Sequence, residues 1–261
     1  MKPDYKNWMP KGMILSFAVG AIVSLLLCLL FACTGWVSGT WQTVLTALFA
    51  VLAVIFCGLT IWSVLMYRAF DYNGKRQMSR QIIEGTAAYV KLPTGGKCLD
   101  VGCGSGALAI AVAKRNPRTQ VIGIDRWGAE YASFSKALCE RNAKAEGVRN
   151  TAFQQGDATH LDFPGETFDA VVSNYIYHNI PGDRQQYLLE TLRTLKKGGT
   201  FAIHDIFSKS KYGDMQAFAR KHREMGYLKV ELIDTTDGQF MSRFEAGWMA
   251  LSGSALLTGI K

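Results

Sequence analysis

The sequence predicts an α/β fold in which a doubly wound, mostly parallel sheet is preceded by a transmembrane α-helical hairpin. Residues 12–67 contain no Asp, Glu, Lys, Arg or His. From residue 79 onward, short apolar runs alternate with helical periods, the pattern of helices crossing between parallel strands. Three glycines at alternate positions follow the first of those runs, where such sheets carry their ligand-binding turn.

Four regions follow: an N-terminal tail (1–11), two spans (about 13–33 and 41–67 within 12–67), a polar linker (68–78) and an α/β domain (79–261). MILSFAVGAIVSLLLCLLFAC and WQTVLTALFAVLAVIFCGLTIWSVLMY are each long enough to cross a hydrocarbon layer about 30 Å thick as a helix. TGWVSGT between them has room only for a turn. A cleaved signal peptide has a shorter apolar core and no second span, and a soluble core helix shows a polar stripe that both runs lack. Lys2, Lys6 and Lys11 precede the first span, Arg68, Lys75, Arg76 and Arg80 follow the second, and the turn has no base. Because basic residues resist translocation, both termini and the α/β domain are expected in the cytoplasm of a two-span cell-membrane protein. Trp8, Trp36, Trp41, Trp62 and Tyr67 lie near the span ends, where amphipathic rings favour the interface.

The formal charge is +8, and beside a membrane such a balance suits anionic headgroups. No concentrated basic stripe with aromatics marks a nucleic-acid surface, so no nucleic-acid partner is expected. The six cysteines show neither CxxC nor a His/Cys cluster, so no metal and no disulfide framework is expected.

In order, the α/β region reads as a helix in QIIEGTAAYV (81–90), strand KCLDV (97–101), helix ALAIAVAKR (107–115), strand QVIGID (120–125) and a helix over 129–147 ending at Gly147. Strands follow in TAFQQGD (151–157) and FDAVVSN (168–174). DRQQYLLETLRTLKK (183–197) reads as an amphipathic helix terminated by Gly198 and Gly199. Strand TFAIHDI (200–206), helix DMQAFARKHREMG (214–226), strand YLKVELID (227–234) and strand SALLTGIK (254–261) complete the domain. The uncharged stretch 246–260 is too short and glycine-broken for a third span; it reads as that last strand with its leading loop, where Trp248 and Met249 face lipid or cover an acceptor.

Glycines at 102, 104 and 106 let the chain turn sharply and let a ligand approach the main chain. Read as Gly102, Gly104 and Ala107, the loop also satisfies a dinucleotide-binding pattern. Asp100 separates the two readings, because a carboxylate just ahead of the loop repels a pyrophosphate and attracts a cation. DxGxGxG at 100–106 resembles the first motif of class I S-adenosylmethionine-dependent methyltransferases. Asp125 at the end of the second strand, GDAT at 156–159, FDAVVSN and LKKGG are similar to later motifs of that family. The resemblance covers residues 79–260 and implies a Rossmann-like sheet of seven strands, the last antiparallel, with S-adenosyl-L-methionine as cofactor. It implies cofactor contacts from Asp100, Gly102, Cys103, Gly104, Gly106, Asp125, Arg126, Trp127, Asp157, Ala158 and Asn174. Asp125 would take the ribose hydroxyls and Asp157 the adenine amine, although an Asp at either place also serves as a helix cap or turn former.

NYIYHNIPGD after the fourth strand is where that family positions its methyl acceptor. His178, Tyr175 and Tyr177 are the candidate catalytic groups there, with His178 the preferred base. His204 and Asp205 end the next strand on the same side. The tether favours a lipid-like or amphiphilic acceptor. A soluble acceptor, or a non-catalytic cofactor-binding membrane module, is the alternative.

Overall fold

The computed structural model describes residues 2–128 and 133–261. They divide into two packed units: residues 7–79, and residues 80–261 joined by the first six residues of the chain.

The first unit is a helical pair, α1 (Lys11–Cys33) and α2 (Thr40–Phe70), followed by the start of α3 (Met78–Ala87). Both α1 and α2 are long and apolar enough to cross a membrane, by length and composition. They pack on small residues and stacked rings. A Cβ on Gly20 would sit 3.0 Å from the Phe56 ring, and Phe31 and Phe49 stack with centroids 5.7 Å apart. Leu15, Ile22, Leu26 and Val54 point outward, Val54 with 72% of its surface exposed. No charged residue lies within the apolar lengths, as the sequence requires. The second helix runs to Phe70 rather than to residue 67 and carries Arg68 in its last turn.

The second unit is a seven-stranded sheet in the order β3-β2-β1-β4-β5-β7-β6. Its strands are β1 (Lys97–Val101), β2 (Gln120–Asp125), β3 (Thr151–Gln155), β4 (Phe168–Asn174), β5 (Leu195–Ile206), β6 (Lys229–Asp234) and β7 (Ser254–Ile260). All neighbouring pairs are parallel except those made by β7, which runs antiparallel to β5 and to β6. Helices α4 (Ala107–Arg115), α5 (Lys136–Ala145), α6 (Arg184–Arg193) and α8 (Met215–Glu224) make the crossovers, and short helices α7 (Lys209–Tyr212) and α9 (Arg243–Trp248) lie in loops. Central strands are buried throughout, as apolar runs covered on both faces must be: Leu99, Val101, Val171, Phe201 and Ile203 have no exposed surface. The order reverses between β1 and β4, which opens a crevice beyond their carboxyl ends.

Three boundaries differ from the sequence expectation. The helix expected over 183–197 stops at Arg193, and residues 195–199 already belong to β5. Leu195 pairs with Phe168 before a register shift, and Lys196 forms an ion pair with Asp169 at 2.8 Å, so tertiary pairing overrides the helical period. Gly198 and Gly199 are therefore not a helix terminus. A Cβ on Gly199 would lie 2.9 Å from the Asp169 carbonyl, a close approach inside the sheet. Of the helix expected over 129–147, residues 129–132 lie outside the described residues and 133–135 are not helical; α5 starts at Lys136, where the Ser135 hydroxyl caps it by accepting from the Leu138 amide. Residues 2–6 of the N-terminal tail group with the sheet-containing unit, through bonds to Asn142 and Glu146.

Candidate active site

The glycine loop leaves β1 and turns at once into α4. Gly102, Gly104 and Gly106 have φ of 73°, 53° and 81°, the left-handed region that costs other residues roughly 1 kcal/mol or more. At Gly102 a Cβ would also run into the Ile176 side chain, so the loop after β4 can lie directly over it. The Gly102 and Cys103 amides both donate to the Ile124 carbonyl, at 2.8 and 2.9 Å. Cys103 itself is buried and its thiol is pushed up by burial, which suits a small filler and not a nucleophile.

Asp100 lies under this loop with no exposed surface, and neither carboxylate oxygen has a hydrogen-bond partner among the described residues. Burial pushes its pKa up to about 8; the nearby Ala109 amide pulls the other way without reaching hydrogen-bond geometry, and Asp125 adds a smaller upward push. An unpaired buried carboxylate is costly, so this group is built to meet a cation or to hold a proton. Asp125 is fixed from two sides, Gly104 donating to Oδ2 and the Trp127 amide to Oδ1, each at 2.8 Å. A carboxylate has about four acceptor sites, so capacity remains for a diol. Trp127, at φ 44°, donates its indole N–H to the Gly104 carbonyl at 3.0 Å.

Gly156 donates to the Asp125 carbonyl, bringing the Asp157–Ala158 turn beside the end of β2. Asp157 Oδ1 accepts from the amide and hydroxyl of Thr159 at 2.8 and 2.7 Å. Those bonds hold its carboxyl below the usual range, with a smaller contribution from Arg126. The turn-forming reading of Asp157 is thus realised. Arg126 is exposed and Ala158 buried. Asn174, at the end of β4, pairs in register with His204, whose Nδ1 lies 2.9 Å from its Oδ1. His204 is fully buried, which pushes its pKa down to about 3, so it is a neutral support for Asn174.

The acceptor loop is built around Asp205. This buried carboxylate accepts from the Tyr177 amide at 2.9 Å, the His178 amide at 3.3 Å and the Ile206 amide at 2.7 Å. His178 Nδ1 completes the set at 2.5 Å. Because Asp205 already acts as acceptor toward three backbone amides, the contact is assigned from the network as Nδ1–H donating to Oδ1, which leaves Nε2 outside it. Among the described residues no hydrogen bond engages Nε2. Sequence reasoning put Asp205 on the correct side without recognising this dyad, because a pairing between residues on two strand ends has no spacing signature.

Two of the three candidate catalytic groups have their hydroxyls bonded to other side chains. Tyr177 has no exposed surface and its hydroxyl lies 2.6 Å from that of Thr191; it is a core residue that contributes only its amide. Tyr175 bonds Ser254 at 2.7 Å, and burial pushes its phenol far up. Its ring stands edge-on to both His178 and His204, at φ 55°. The Tyr175 ring thus packs between His178 and His204, with its hydroxyl engaged by Ser254.

A doubly wound sheet whose crevice combines a bare loop, an unpaired buried acid and a second acid with acceptor sites to spare suits a cationic nucleoside. Residues 93–241 match the family described as "Methyltransferase domain", and the chain belongs to that family; its cofactor is S-adenosylmethionine. Curated relatives include the 27-O-demethylrifamycin SV methyltransferase of Amycolatopsis mediterranei, 29% identical over 66% of this chain and 60% of that protein. The demethylmenaquinone methyltransferase of Lactobacillus johnsonii is 33% identical over 44% of this chain and 45% of its own length. The matches thus span between about half and three-fifths of those relatives. The fold is shared with the geranyl diphosphate methyltransferase solved with GPP and sinefungin, TM-score 0.56 at 14% identity over 74% of this chain and 82% of that one. It is shared also with the cyclase SpnF, TM-score 0.54 at 20% identity over 73% and 85%.

Proposed function

We propose that this chain is a membrane-anchored methyltransferase that methylates a hydroxyl on a lipid-like or other amphiphilic acceptor at the cytoplasmic face. The observation that carries the cofactor half is the buried, unpartnered Asp100 under the glycine loop, which fits an ammonium and would be destabilised by a diphosphate. Asp125 would hold the ribose, with Trp127, Asp157 and Ala158 around the base and Asn174 beside the amino acid end. When bound, S-adenosylmethionine supplies an activated methyl group on a sulfonium. His178 Nε2 would take the proton of the acceptor hydroxyl whose oxygen receives that methyl group. Asp205 stabilises the imidazolium until the proton passes to water. Tyr175 and Ile176 shield the reacting atoms from solvent.

Two features support an amphiphilic acceptor. The apolar helical pair raises the local concentration of the domain at a bilayer. The β6–β7 connection, on the same sheet edge as Asn174 and Asp205, exposes Phe244 at 78% and Trp248 at 39%, one turn apart on α9. Relatives acting on a menaquinone precursor and on rifamycin agree with a bulky apolar acceptor. The test is to incubate the full-length protein with methyl-labelled cofactor and total membrane extract. Label in an organic-soluble product as a methyl ether supports the proposal; label confined to water-soluble species overturns the acceptor class.

A further inference from the structure

Residues 2–6 precede the first apolar helix in sequence, yet they are part of the sheet-containing unit. Asn142 of α5 joins them to it. Its side chain is buried and pairs with Asp4 as one strand pairs with another: Oδ1 accepts from the Asp4 amide at 2.8 Å, and Nδ2 donates to the Asp4 carbonyl at 3.0 Å. The second hydrogen of Nδ2 donates to the Ser105 carbonyl of the glycine loop, also at 3.0 Å. Tyr5 is buried and donates to Glu146 at 3.1 Å, and Glu146 accepts from Lys114 of α4. Asp4 also holds the turn at Lys6, accepting from the Lys6 amide at 3.1 Å and from its ammonium at 2.6 Å, where Lys6 has φ 58°.

Elsewhere in the glycine loop, the Gly104 carbonyl is held by Trp127 and Cys139 and the Gly104 amide by Asp125. Asn142 is the link that also reaches the segment leading into α1. We infer that residues 2–6 form a strap coupled to the cofactor loop, with Asn142 as the positioning residue between them. The strap fixes the Ser105 peptide and so the loop that receives the cofactor. Because coupling free energies are reciprocal, filling the loop also holds the strap in place. The inference rests on the cofactor reading above.

The test uses the full-length protein in nanodiscs, with S-adenosylhomocysteine as the probe and titration calorimetry and hydrogen exchange as readouts. Asn142→Ala should weaken binding about tenfold, the equivalent of losing one well-made buried hydrogen-bonding group. Asp4→Pro removes the strap's amide donor and leaves the Asn142–Ser105 bond in place; it should weaken binding about threefold or more and speed exchange across residues 102–107. In the wild type, saturating probe should slow exchange at residues 4–6. Wild-type affinity in Asp4→Pro, together with strap exchange indifferent to the probe, would overturn the coupling. No binding by the wild type would instead remove the cofactor reading and this inference with it.

Discussion

His178 and Asp205 stand 27 positions apart in sequence and 2.5 Å apart in space, and the account of chemistry rests on that pairing. His178→Gln removes the base while keeping a hydrogen-bonding side chain; kcat should fall by about 10²–10⁴ with cofactor affinity unchanged. Asp205→Asn should cost nearly as much, because an amide no longer fixes Nδ1 as the protonated nitrogen. A cofactor dissociation constant that shifts in step with kcat would show a collapsed loop and not a lost base. Asp100 makes a second prediction at this scale. Its folded-state pKa is raised from the ordinary 3.8 to about 8, so the free protein keeps the stability associated with the protonated acid below about pH 4 and loses it as pH rises through about 8. A cationic ligand reverses that loss, so the rise in melting temperature on adding cofactor should grow between pH 6 and pH 8, followed by differential scanning calorimetry.

At the level of elements, the glycine loop is where backbone geometry decides function. Gly102→Ala combines a left-handed φ with a collision against Ile176 and should destabilise the domain by ~2–3 kcal/mol and abolish cofactor binding. At Gly104 the nearest atom to a new Cβ is 3.8 Å away, so Gly104→Ala should cost only ~1 kcal/mol, with urea unfolding of the two variants as the comparison. Elements with strong local patterns were legible: β1, α4, β2 and β4 begin and end where the sequence places them, since each is a buried run bounded by a turn. What was not legible depends on neighbours. Leu195–Lys197 continue the helical period of the preceding residues but are claimed by Phe168 and Asp169. Tyr177 looks like a reactive residue on a loop until burial against Thr191 is known. Asp100 was legible because a carboxylate before a glycine loop has few structural uses.

For the whole molecule, the chain leaves the sheet-containing unit after Lys6 and re-enters it at Arg80. Helices α1 and α2 between those points are long and apolar enough to cross a membrane, with bases on both flanks and none in the turn that joins them. The full-length protein should remain in the membrane fraction after alkaline carbonate washing, and trypsin added to inside-out vesicles should cleave sites in residues 80–261. Release into the wash would remove the bilayer from the account. The central claim, that a buried acid selects a cationic sulfur nucleoside, is tested most directly by calorimetric titration of the full-length protein with S-adenosylmethionine between about pH 5.5 and 7, in the wild type and in Asp100→Asn. The wild type should bind more tightly by about tenfold per pH unit as the acid gives up its proton, and the Asn variant should bind weakly with no such slope. Equal affinity in both proteins, flat with pH, would contradict it.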